Sequence, residues 1–341
     1  MRCVKIKGPK KFEVSQIPEP LADGENVIID IKKSGICGSD LHYWIAGEPK
    51  GLIMGHEFCG VVKNPGNRED LIAGDRVTAL PISPCGHCEP CKSGNVQYCA
   101  KTWDKSIGLA LTNPGALTQT IAVRSDMVMK VPATISDEEV AVVEPTAVGL
   151  HAIHLADIKV GDKVLVIGGG IIGQISAMFA KMEGASYVVV SETNPKRGEK
   201  ALKLGVADGF ADARDPKMIE KYNIITEGGF DVVIECCGNS PAVSSAIMAV
   251  KPGGTVILVG VSLGTVTIPS IVAVTRELNI KGAIAYTIDE FKTCIELMAQ
   301  KRIDTLKFVD DIVDLESTQE AYERLTSGKD DAIKIIVDPN K

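Results

Sequence analysis

The chain has 341 residues, of which 45% are hydrophobic and 24% charged, and its formal net charge is −7. It is therefore long enough for two domains, and its negative charge argues against non-specific binding to nucleic acid. No apolar run reaches the ~18 residues that a membrane span needs, and charges interrupt the N-terminal segment, unlike the apolar stretch of a secretory signal. We expect a cytoplasmic protein with reduced thiols that binds neither nucleic acid nor membranes.

The first third of the sequence predicts short β-strands separated by glycine and proline. Runs of β-favouring residues occur in "NVIIDIKKSGICG", "GHEFCGVVKN", "GDRVTAL" and "GALTQTIAVRSDMVMKVP". Near residue 136 the pattern becomes helical, because "SDEEVAVVEPTAVGLHAIHLA" begins with Ser136 as a helix N-cap and an acidic first turn. We expect Pro145 to break this helix.

From residue 161 onward, apolar strands alternate with helical segments. The strands are "KVLVIG", "YVVVSE", "FDVVIECCG" and "TVILVG", and segments such as "IIGQISAMFAKMEGA" lie between them. This alternation predicts a doubly wound parallel sheet covered on both faces. Two further helices, "IDEFKTCIELMAQKRI" and "STQEAYERLTSG", and a final strand, "DAIKIIVD", complete an α/β chain with a β-rich first part.

A glycine motif follows the first of these strands. Gly168, Gly170 and Gly173 form G-x-G-x-x-G between a strand and a helix, the pattern that lets a backbone approach a pyrophosphate at a helix N-terminus. Glu192 closes the next strand, where a carboxylate accepts the ribose 2′-hydroxyl and repels a 2′-phosphate. We therefore expect NAD rather than NADP, and interpret Arg197 as packing over the adenine or touching the ribose. The alternative is a glycine-rich turn that binds no nucleotide or a different one.

Four cysteines lie within fifteen residues, as C-x2-C-x2-C-x7-C. Cys85, Cys88, Cys91 and Cys99 predict a closed, all-thiolate structural zinc site, because four thiolates complete a tetrahedral shell and leave His87 as a non-ligand. A redox pair is more often a single C-x-x-C, the other six cysteines are too scattered for a disulfide framework, and a nucleic-acid module would need basic residues beside the cluster.

A second candidate metal site combines Cys37, His56 and Glu57. Thiolate, imidazole and carboxylate are the donor mixture of an open catalytic zinc, at which zinc acts as a Lewis acid. On spacing alone, a buried core cysteine and a hydrogen-bonded histidine explain these residues better than a metal site does. His151 and His154 are interpreted as packing or surface residues.

Six segments occur in one order over essentially the whole chain: "GICGSDLHYW", "GHEFCG", the four-cysteine cluster, "VEPTAVG", "GGGIIG" and "RELNIKGAIAY". This order resembles the zinc-dependent medium-chain alcohol dehydrogenases, and within them the sorbitol (polyol), butanediol and threonine dehydrogenase group. The resemblance implies a GroES-like catalytic domain at 1–147 and 286–341, with a structural-zinc lobe at 81–100, and a Rossmann NAD-binding domain at 148–285.

The resemblance also implies roles for the metal site. Cys37 and His56 match the ligands of the catalytic zinc, Glu57 a ligand or exchangeable near-ligand, and Glu144 the glutamate that holds zinc directly or through water. Asp40 is similar to the aspartate that orients the histidine ligand. Ser39 matches the hydroxyl that takes the alcohol proton, and His42 the outer end of the relay to solvent.

Further positions match the cofactor and substrate contacts of the family. The NAD-contacting positions are Ile172, Glu192, Arg197, Val259, Gly260, Val261, Ile284, Ala285 and Tyr286. Tyr43 and Tyr286 match residues that line the sorbitol pocket, but Ala285 stands where sorbitol dehydrogenases carry an arginine. The implied enzyme is most like a polyol (sorbitol-type) dehydrogenase, which oxidises a secondary alcohol to a ketone with NAD. It would carry two zinc ions per subunit and form a homodimer or homotetramer. The alternatives are a butanediol- or threonine-type enzyme and a non-catalytic NAD-binding relative.

Overall fold

The β-rich character of the first third is seen in the computed structural model, which describes residues 1–262 and 264–341. Its strands are β1 (Arg2–Gly8), β2 (Lys11–Gln16), β3 (Asn26–Gly35), β4 (Glu57–Asn64), β5 (Arg76–Ala79), β6 (Thr120–Arg124) and β7 (Val128–Lys130). The helices of this part are α1 (Gly38–Ala46), α2 (Glu89–Lys92), α3 (Asp137–Ala141) and α4 (Val143–Ala156).

Strand β3 lies at the centre of this β-rich part. Its apolar side chains are buried, and it pairs antiparallel with both β4 and β6. The register of the β3–β4 pair places Gly35, the last residue of β3, opposite Glu57, the first residue of β4. Cys37 follows β3 and His56 precedes β4, so this register brings two residues nineteen positions apart to one end of the sheet.

The helical segment after residue 136 contains one prediction that holds and one that is wrong. Ser136 caps α3 through a capping box in which its hydroxyl accepts from the Glu139 amide at 3.1 Å. Pro145, however, does not break the helix, because the interruption falls at Val142 and α4 begins at Val143. Pro145 thus occupies the first turn of α4, where the missing N–H has no helical partner to lose.

The middle of the chain forms the predicted doubly wound sheet. Its elements are β8 (Lys163–Ile167), α5 (Ile171–Met182), β9 (Tyr187–Glu192), α6 (Pro195–Lys203), β10 (Gly209–Asp212), α7 (Met218–Thr226), β11 (Phe230–Glu235), α8 (Ser240–Ala249), β12 (Val250–Leu258), α9 (Ser270–Thr275) and β13 (Asn279–Gly282). The strand order is β10-β9-β8-β11-β12-β13, and every pairing is parallel. The order reverses between β8 and β11, the place where open α/β sheets bind ligands.

The last part of the chain returns to the first sheet. It forms α10 (Ile288–Ala299), β14 (Asp311–Val313), α11 (Thr318–Thr326) and β15 (Ile335–Val337). Strand β15 pairs antiparallel with β3, and β14 pairs with β15, which completes the order β14-β15-β3-β4-β5-β7 with β6 also on β3. In the described part of the chain, no helix is both long and apolar enough to span a membrane.

The chain divides into two compact units. The catalytic unit comprises Met1–Pro145, Tyr286–Ser327 and Lys334–Lys341, and the nucleotide unit comprises Thr146–Ala285 and Gly328–Ile333. The first expected junction, 147/148, lies two residues after the observed one at 145/146, and the second, 285/286, coincides with an observed junction. The return of residues 328–333 to the nucleotide unit, called the excursion below, was not predicted.

Side chains at the start of α6 anchor this excursion through four successive carbonyls. Asn194 Nδ2 donates to the carbonyl of Asp330 at 2.9 Å, and Arg197 Nη2 donates to that of Ala332 at 2.7 Å. Lys196 and Lys200 donate to the carbonyls of Lys329 and Asp331 at 3.3 and 3.5 Å.

Candidate catalytic and metal sites

Three ligand-type side chains meet at the end of the β3–β4 pair. One donor atom each from Cys37, His56 and Glu57 lies within 4.8 Å of the others. His56 and Glu57 are buried, at 5% and 0% exposure, and Cys37 is half-buried. Among the described residues, Glu57 Oε1 has no hydrogen-bond partner although it is buried. A thiol, an imidazole and an unsatisfied carboxylate oxygen fit a zinc ion, since a cation would satisfy all three.

Helix α1 carries the residues that surround this trio. Cys37 is its N-cap residue, and the Cys37 amide donates to Asp40 Oδ2 at 3.1 Å. His56 Nδ1 lies 3.5 Å from Asp40 Oδ1, and on its other side His56 Nε2 lies 3.5 Å from the Ser39 hydroxyl. The Ser39 hydroxyl also donates to Cys37 Sγ at 3.3 Å. Asp40 thus faces one ring nitrogen, which leaves Nε2 on the side of the thiol, as expected of a metal ligand.

Burial and neighbouring charges determine the protonation of the trio. Burial lowers the pKa of His56, but Asp40 and Cys37 outweigh it and hold this pKa well above its ordinary value. Burial raises the pKa of the Cys37 thiol, and Glu57 adds to this effect while His56 opposes it. Without a cation, the site therefore favours a charged imidazole next to a protonated thiol, and metal binding has to displace both protons.

Lys334 was not predicted and is the buried counter-charge of the site. Its ammonium donates to Glu57 Oε2 at 2.6 Å and to the Ile36 carbonyl at 2.7 Å, with both side chains fully buried. A Cβ at Gly35 would lie 2.2 Å from Glu57 Oε2, so glycine is required there. The sequence feature that could have pointed to Lys334 is a single lysine within the apolar run "AIKIIV", directly before β15.

Glu144 lies outside the set of atoms within 4.8 Å and has a different partner. Its Oε1 accepts a hydrogen bond from the Tyr286 hydroxyl at 3.0 Å, and Tyr286 is fully buried. Burial raises the pKa of Glu144 to about 7, with Glu57 adding to the effect and His56 and Tyr286 opposing it. The structure therefore gives Tyr286 a role beside Glu144, in addition to the substrate and cofactor contacts expected from the sequence.

The remaining predicted residues of this site lie on the outer part of α1. His42 is exposed and Tyr43 is half-buried. His42 lies three residues after Ser39 and Tyr43 four residues after it, so both belong to the helix face that carries Ser39.

The four cysteines of the lobe converge as the spacing predicted. The sulfur atoms of Cys85, Cys88, Cys91 and Cys99 lie within 4.8 Å of one another. Backbone amides point at these sulfurs: Cys85 and Lys101 donate to Cys99 Sγ at 3.3 and 3.4 Å and lower the pKa of Cys99 to about 6. His87 is exposed and bonds through Nδ1 to the Cys85 carbonyl at 2.8 Å, so it lies outside the sulfur cluster. Four sulfurs with amide donors fit a closed zinc site.

The glycine motif has the geometry expected of a pyrophosphate turn. Gly168 has φ +107°, and a Cβ at Gly173 would lie 1.8 Å from the Gly168 carbonyl oxygen, so both positions require glycine. A Cβ at Gly170, the N-cap of α5, would meet nothing within 4 Å. The N-terminus of α5, with half-buried Ile172 in its first turn, is therefore open to a ligand.

Glu192 organises the adjacent loop. Glu192 Oε2 accepts from the Gly169 amide at 2.7 Å, and Oε1 accepts from the amides of Thr193 and Asn194 at 2.7 and 2.8 Å. Arg197 is held by its bond to the Ala332 carbonyl. These bonds hold the Glu192 carboxylate at the end of β9, where the sequence predicts a contact with the ribose of the cofactor.

The other predicted cofactor positions follow the last strands of this sheet. Val259 and Gly260 are half-buried and Val261 is exposed directly after β12. Ile284 is exposed, and Ala285 has φ +50°, at the end of the nucleotide unit.

A doubly wound sheet with an open pyrophosphate turn, together with a cluster of zinc-ligand side chains in the same chain, is the combination expected of metal-dependent oxidoreductases that use a dinucleotide. Two family models match the chain: Alcohol dehydrogenase GroES-like domain over residues 23–133 and Zinc-binding dehydrogenase over residues 172–300. D-xylulose reductase A of Aspergillus niger is 32% identical over 96% of this chain and 93% of its own length. Sorbitol dehydrogenase of Bacillus subtilis is 32% identical over 100% and 98%.

Solved structures agree with these matches. The 2R,3R-butanediol dehydrogenase of Bacillus subtilis superposes with a TM-score of 0.87 at 28% identity, covering 99% of both chains. A Sinorhizobium meliloti protein described as a zinc-binding dehydrogenase, bound to NADP, gives 0.89 at 26% identity, again covering 99% of each. The chain belongs to the zinc-binding alcohol dehydrogenase family, and the GroES-like and Rossmann-type architecture predicted for it is confirmed.

Proposed function

We propose that this chain is a zinc- and NAD-dependent polyol dehydrogenase that oxidises a secondary alcohol to a ketone. The observation that carries the proposal is the buried cluster of Cys37, His56 and Glu57 with the Ser39 hydroxyl beside it. Its similarity over nearly the full chain to D-xylulose reductase A and sorbitol dehydrogenase supports a polyol as the substrate class.

Each residue of the site has a role that follows from its position. Cys37, His56 and Glu57 would hold zinc, with Glu144 as a further carboxylate near the site, and bound zinc would supply Lewis-acid polarisation of the substrate hydroxyl. Asp40 holds the His56 ring in place. Ser39 Oγ would relay the alcohol proton, accepting it while the Ser39 hydroxyl releases its own proton outward, and exposed His42, one helical turn further along α1, would pass that proton to solvent. The nicotinamide ring would accept the hydride.

NAD is the proposed cofactor because of the Glu192 carboxylate. A 2′-phosphate placed at the end of β9 would meet this carboxylate, which its three amide donors hold in position. Gly168, Gly170, Ile172 and Gly173 would receive the pyrophosphate. Arg197 would flank the adenosine, and Val259–Val261 with 284–286 would complete the contacts.

Replacing Glu192 with alanine should lower the ratio of kcat/KM for NAD to kcat/KM for NADP, because the carboxylate that repels the 2′-phosphate is removed. An unchanged ratio would contradict this assignment.

The substrate is tested by NADH formation against sorbitol, xylitol, 2,3-butanediol and L-threonine, together with the zinc content per chain. We expect two zinc ions and the highest kcat/KM on a polyol. A butanediol-type enzyme is the second candidate, because Ala285 replaces the arginine implied for sorbitol enzymes and a butanediol dehydrogenase shares the fold at 28% identity. A preference for 2,3-butanediol would favour it, and no turnover of any alcohol would contradict both proposals.

We also propose a homodimer or homotetramer formed at the β13 edge. Strand β13 ends the order of the parallel sheet, and neighbouring Ile271 and Val274 are 71% and 74% exposed. An edge strand flanked by exposed apolar side chains is a pairing surface. Light scattering should show an oligomer that a double change, Ile271→Glu with Val274→Glu, converts to monomer. A cytoplasmic location is proposed because none of the ten cysteines, all within the described residues, forms a disulfide bond.

A further inference from the structure

Glu235 occupies the carboxyl end of β11 in the nucleotide unit, and its side chain is fully buried. Its Oε1 accepts two hydrogen bonds from the turn that follows, at 2.7 Å from the Cys237 amide and 2.8 Å from the Gly238 amide. One carboxylate oxygen therefore determines the course of the chain directly after the strand. This role was not predicted, because "FDVVIECCG" has the pattern of an ordinary apolar strand that ends in a glutamate.

The same residue also holds the loop that follows the neighbouring strand β12. Its backbone carbonyl accepts from the Val259 amide at 2.8 Å and from the Gly260 amide at 2.9 Å. The two loops pack without room for a side chain, since a Cβ at Gly260 would lie 2.1 Å from the Gly238 nitrogen. Glu235 is thus bonded to the first loop through its side chain and to the second through its backbone carbonyl, and the side chain acts on the second loop through this close packing.

The turn after β11 also contacts the pyrophosphate turn after β8. The Cys236 amide donates to the Ile167 carbonyl at 2.8 Å, and a Cβ at Gly168 would lie 2.9 Å from Cys237 Sγ. Three loops at the carboxyl ends of neighbouring parallel strands therefore share the turn that Glu235 holds. These are the strands next to the switch point of the sheet.

Burying the Glu235 carboxyl group costs free energy, which its hydrogen bonds have to offset. Burial raises the pKa of its carboxyl group, although the amides of Gly238 and Cys237 oppose this, and its second oxygen, Oε2, is buried without a partner among the described residues. Because an unpartnered buried oxygen destabilises the fold, the favourable polar interactions of this side chain are the two bonds made by Oε1.

We propose that Glu235 is a positioning residue for the dinucleotide cofactor, which holds the Cys237–Gly238 turn and the Val259–Gly260 loop at the spacing that cofactor binding requires. The inference rests on the proposed function, because it places the cofactor along the carboxyl ends of β8, β11 and β12.

The test compares Glu235→Gln with Glu235→Met in the full-length, zinc-loaded protein. Glutamine keeps an acceptor oxygen at the position of Oε1, whereas methionine keeps the length of the side chain and removes the acceptor. Exposed Glu183, which follows α5 in the same unit, provides the control Glu183→Met. The Kd for NADH is measured by fluorescence titration, and amide hydrogen exchange is followed in the peptide that contains Cys237 and Gly238.

We expect Glu235→Met to raise the Kd for NADH about tenfold or more and to accelerate exchange of both amides, because two buried donors lose their acceptor. Glu235→Gln should stay within about twofold of the wild type, and the alcohol KM at saturating NAD should not change in either variant. Wild-type affinity in Glu235→Met, or equal weakening in both variants, would overturn the proposal. If Glu235→Met does not fold, Glu235→Asp, whose carboxylate is one methylene shorter, replaces it with the same expectation. A wild type that binds no NADH would instead refute the proposed function.

Discussion

The two candidate metal sites of the catalytic unit differ in what holds their ligands. In the lobe, four identical donors converge in a segment whose regular structure is limited to the four-residue helix α2 and one short turn. At the other site, three different donors stand at the ends of long paired strands and a nine-residue helix. The charged side chains of the lobe, Glu89 and Lys92, are both exposed, whereas the site of Cys37, His56 and Glu57 has buried Asp40 and Lys334 as its charged neighbours.

This difference predicts opposite consequences of metal loss. A segment with little regular structure relies on its metal for folding energy, because no paired strand or long helix holds its ligands in place. A site built on strand ends already has its geometry before metal arrives, so its metal contributes chemistry.

Replacing Cys37 with serine should have the largest effect. We expect loss of one zinc per chain and a fall in kcat/KM of about a thousandfold or more, because Lewis-acid stabilisation of several kcal/mol disappears. The Kd for NADH and the thermal midpoint should stay close to the wild type. Cys59→Ser, a thiol-to-hydroxyl change at a buried residue of β4, is the control and should keep both zinc ions. A Cys37→Ser enzyme with full turnover would refute the zinc assignment.

Replacing Cys88 with serine should separate stability from chemistry. We expect loss of one zinc and a drop in the free energy of unfolding of several kcal/mol, with kcat per folded molecule changed by less than about threefold. Calorimetry, zinc analysis and active-site titration measure these quantities. His87→Ala, at the exposed histidine next to Cys88, should change none of them. A variant as stable as the wild type would remove the structural role of the lobe metal.

Replacing Lys334 with methionine tests the buried counter-charge. It leaves the Glu57 carboxylate buried without its cation, so we expect a loss of about 3–5 kcal/mol in the metal-free protein. The double change Lys334→Met with Glu57→Gln should recover much of this stability, because no buried charge is left unpaired. Denaturant unfolding of the metal-free Lys334→Met, Glu57→Gln and double variants gives all three values. Additive losses in the double variant would contradict the pairing.

The smallest predicted effect concerns pH. The pKa of Glu144 is raised to about 7 in the folded state, so folded protein binds a proton that the unfolded chain releases at its ordinary value of 4.5. Stability from this group is therefore present below about pH 4.5 and lost as pH rises through about 7, by up to about 3 kcal/mol. Glu144→Gln should flatten this part of the stability profile of the metal-free protein.

Tyr286→Phe provides the matched comparison for this pH effect. The Tyr286 hydroxyl bond lowers the pKa of Glu144, so its removal should move the loss of stability to higher pH. An unchanged profile in both variants would mean that another group titrates in this range.

The sequence predicted those features that local spacing encodes. The four cysteines and the three glycines each lie within one short segment, and strand, turn and helix signals around them agree, so both sites follow from neighbouring residues. Cys37 and His56 needed the family resemblance, because only the register of β3 and β4 brings them together.

The missed features depend on long-range packing. Lys334 reaches Glu57 across 277 positions of sequence, and no local pattern connects a lysine in a C-terminal strand with a carboxylate near residue 57. Likewise, the Tyr286 hydroxyl meets Glu144 across 142 positions. Pro145 was misjudged because its effect depends on where the helix begins, and helix boundaries follow from packing as much as from composition.

The excursion of residues 328–333 has a consequence for how this protein can be recombined. The chain passes between its two units four times, at 145/146, 285/286, 327/328 and 333/334. A chimera with one crossover between residues 286 and 327 would therefore take Thr146–Ala285 from one parent and the carbonyls of residues 329–332 from the other. Those carbonyls accept the hydrogen bonds of Asn194 and the α6 side chains. Exchange of cofactor preference between family members would need a graft of two pieces, Thr146–Ala285 together with Gly328–Ile333, transferred as one design.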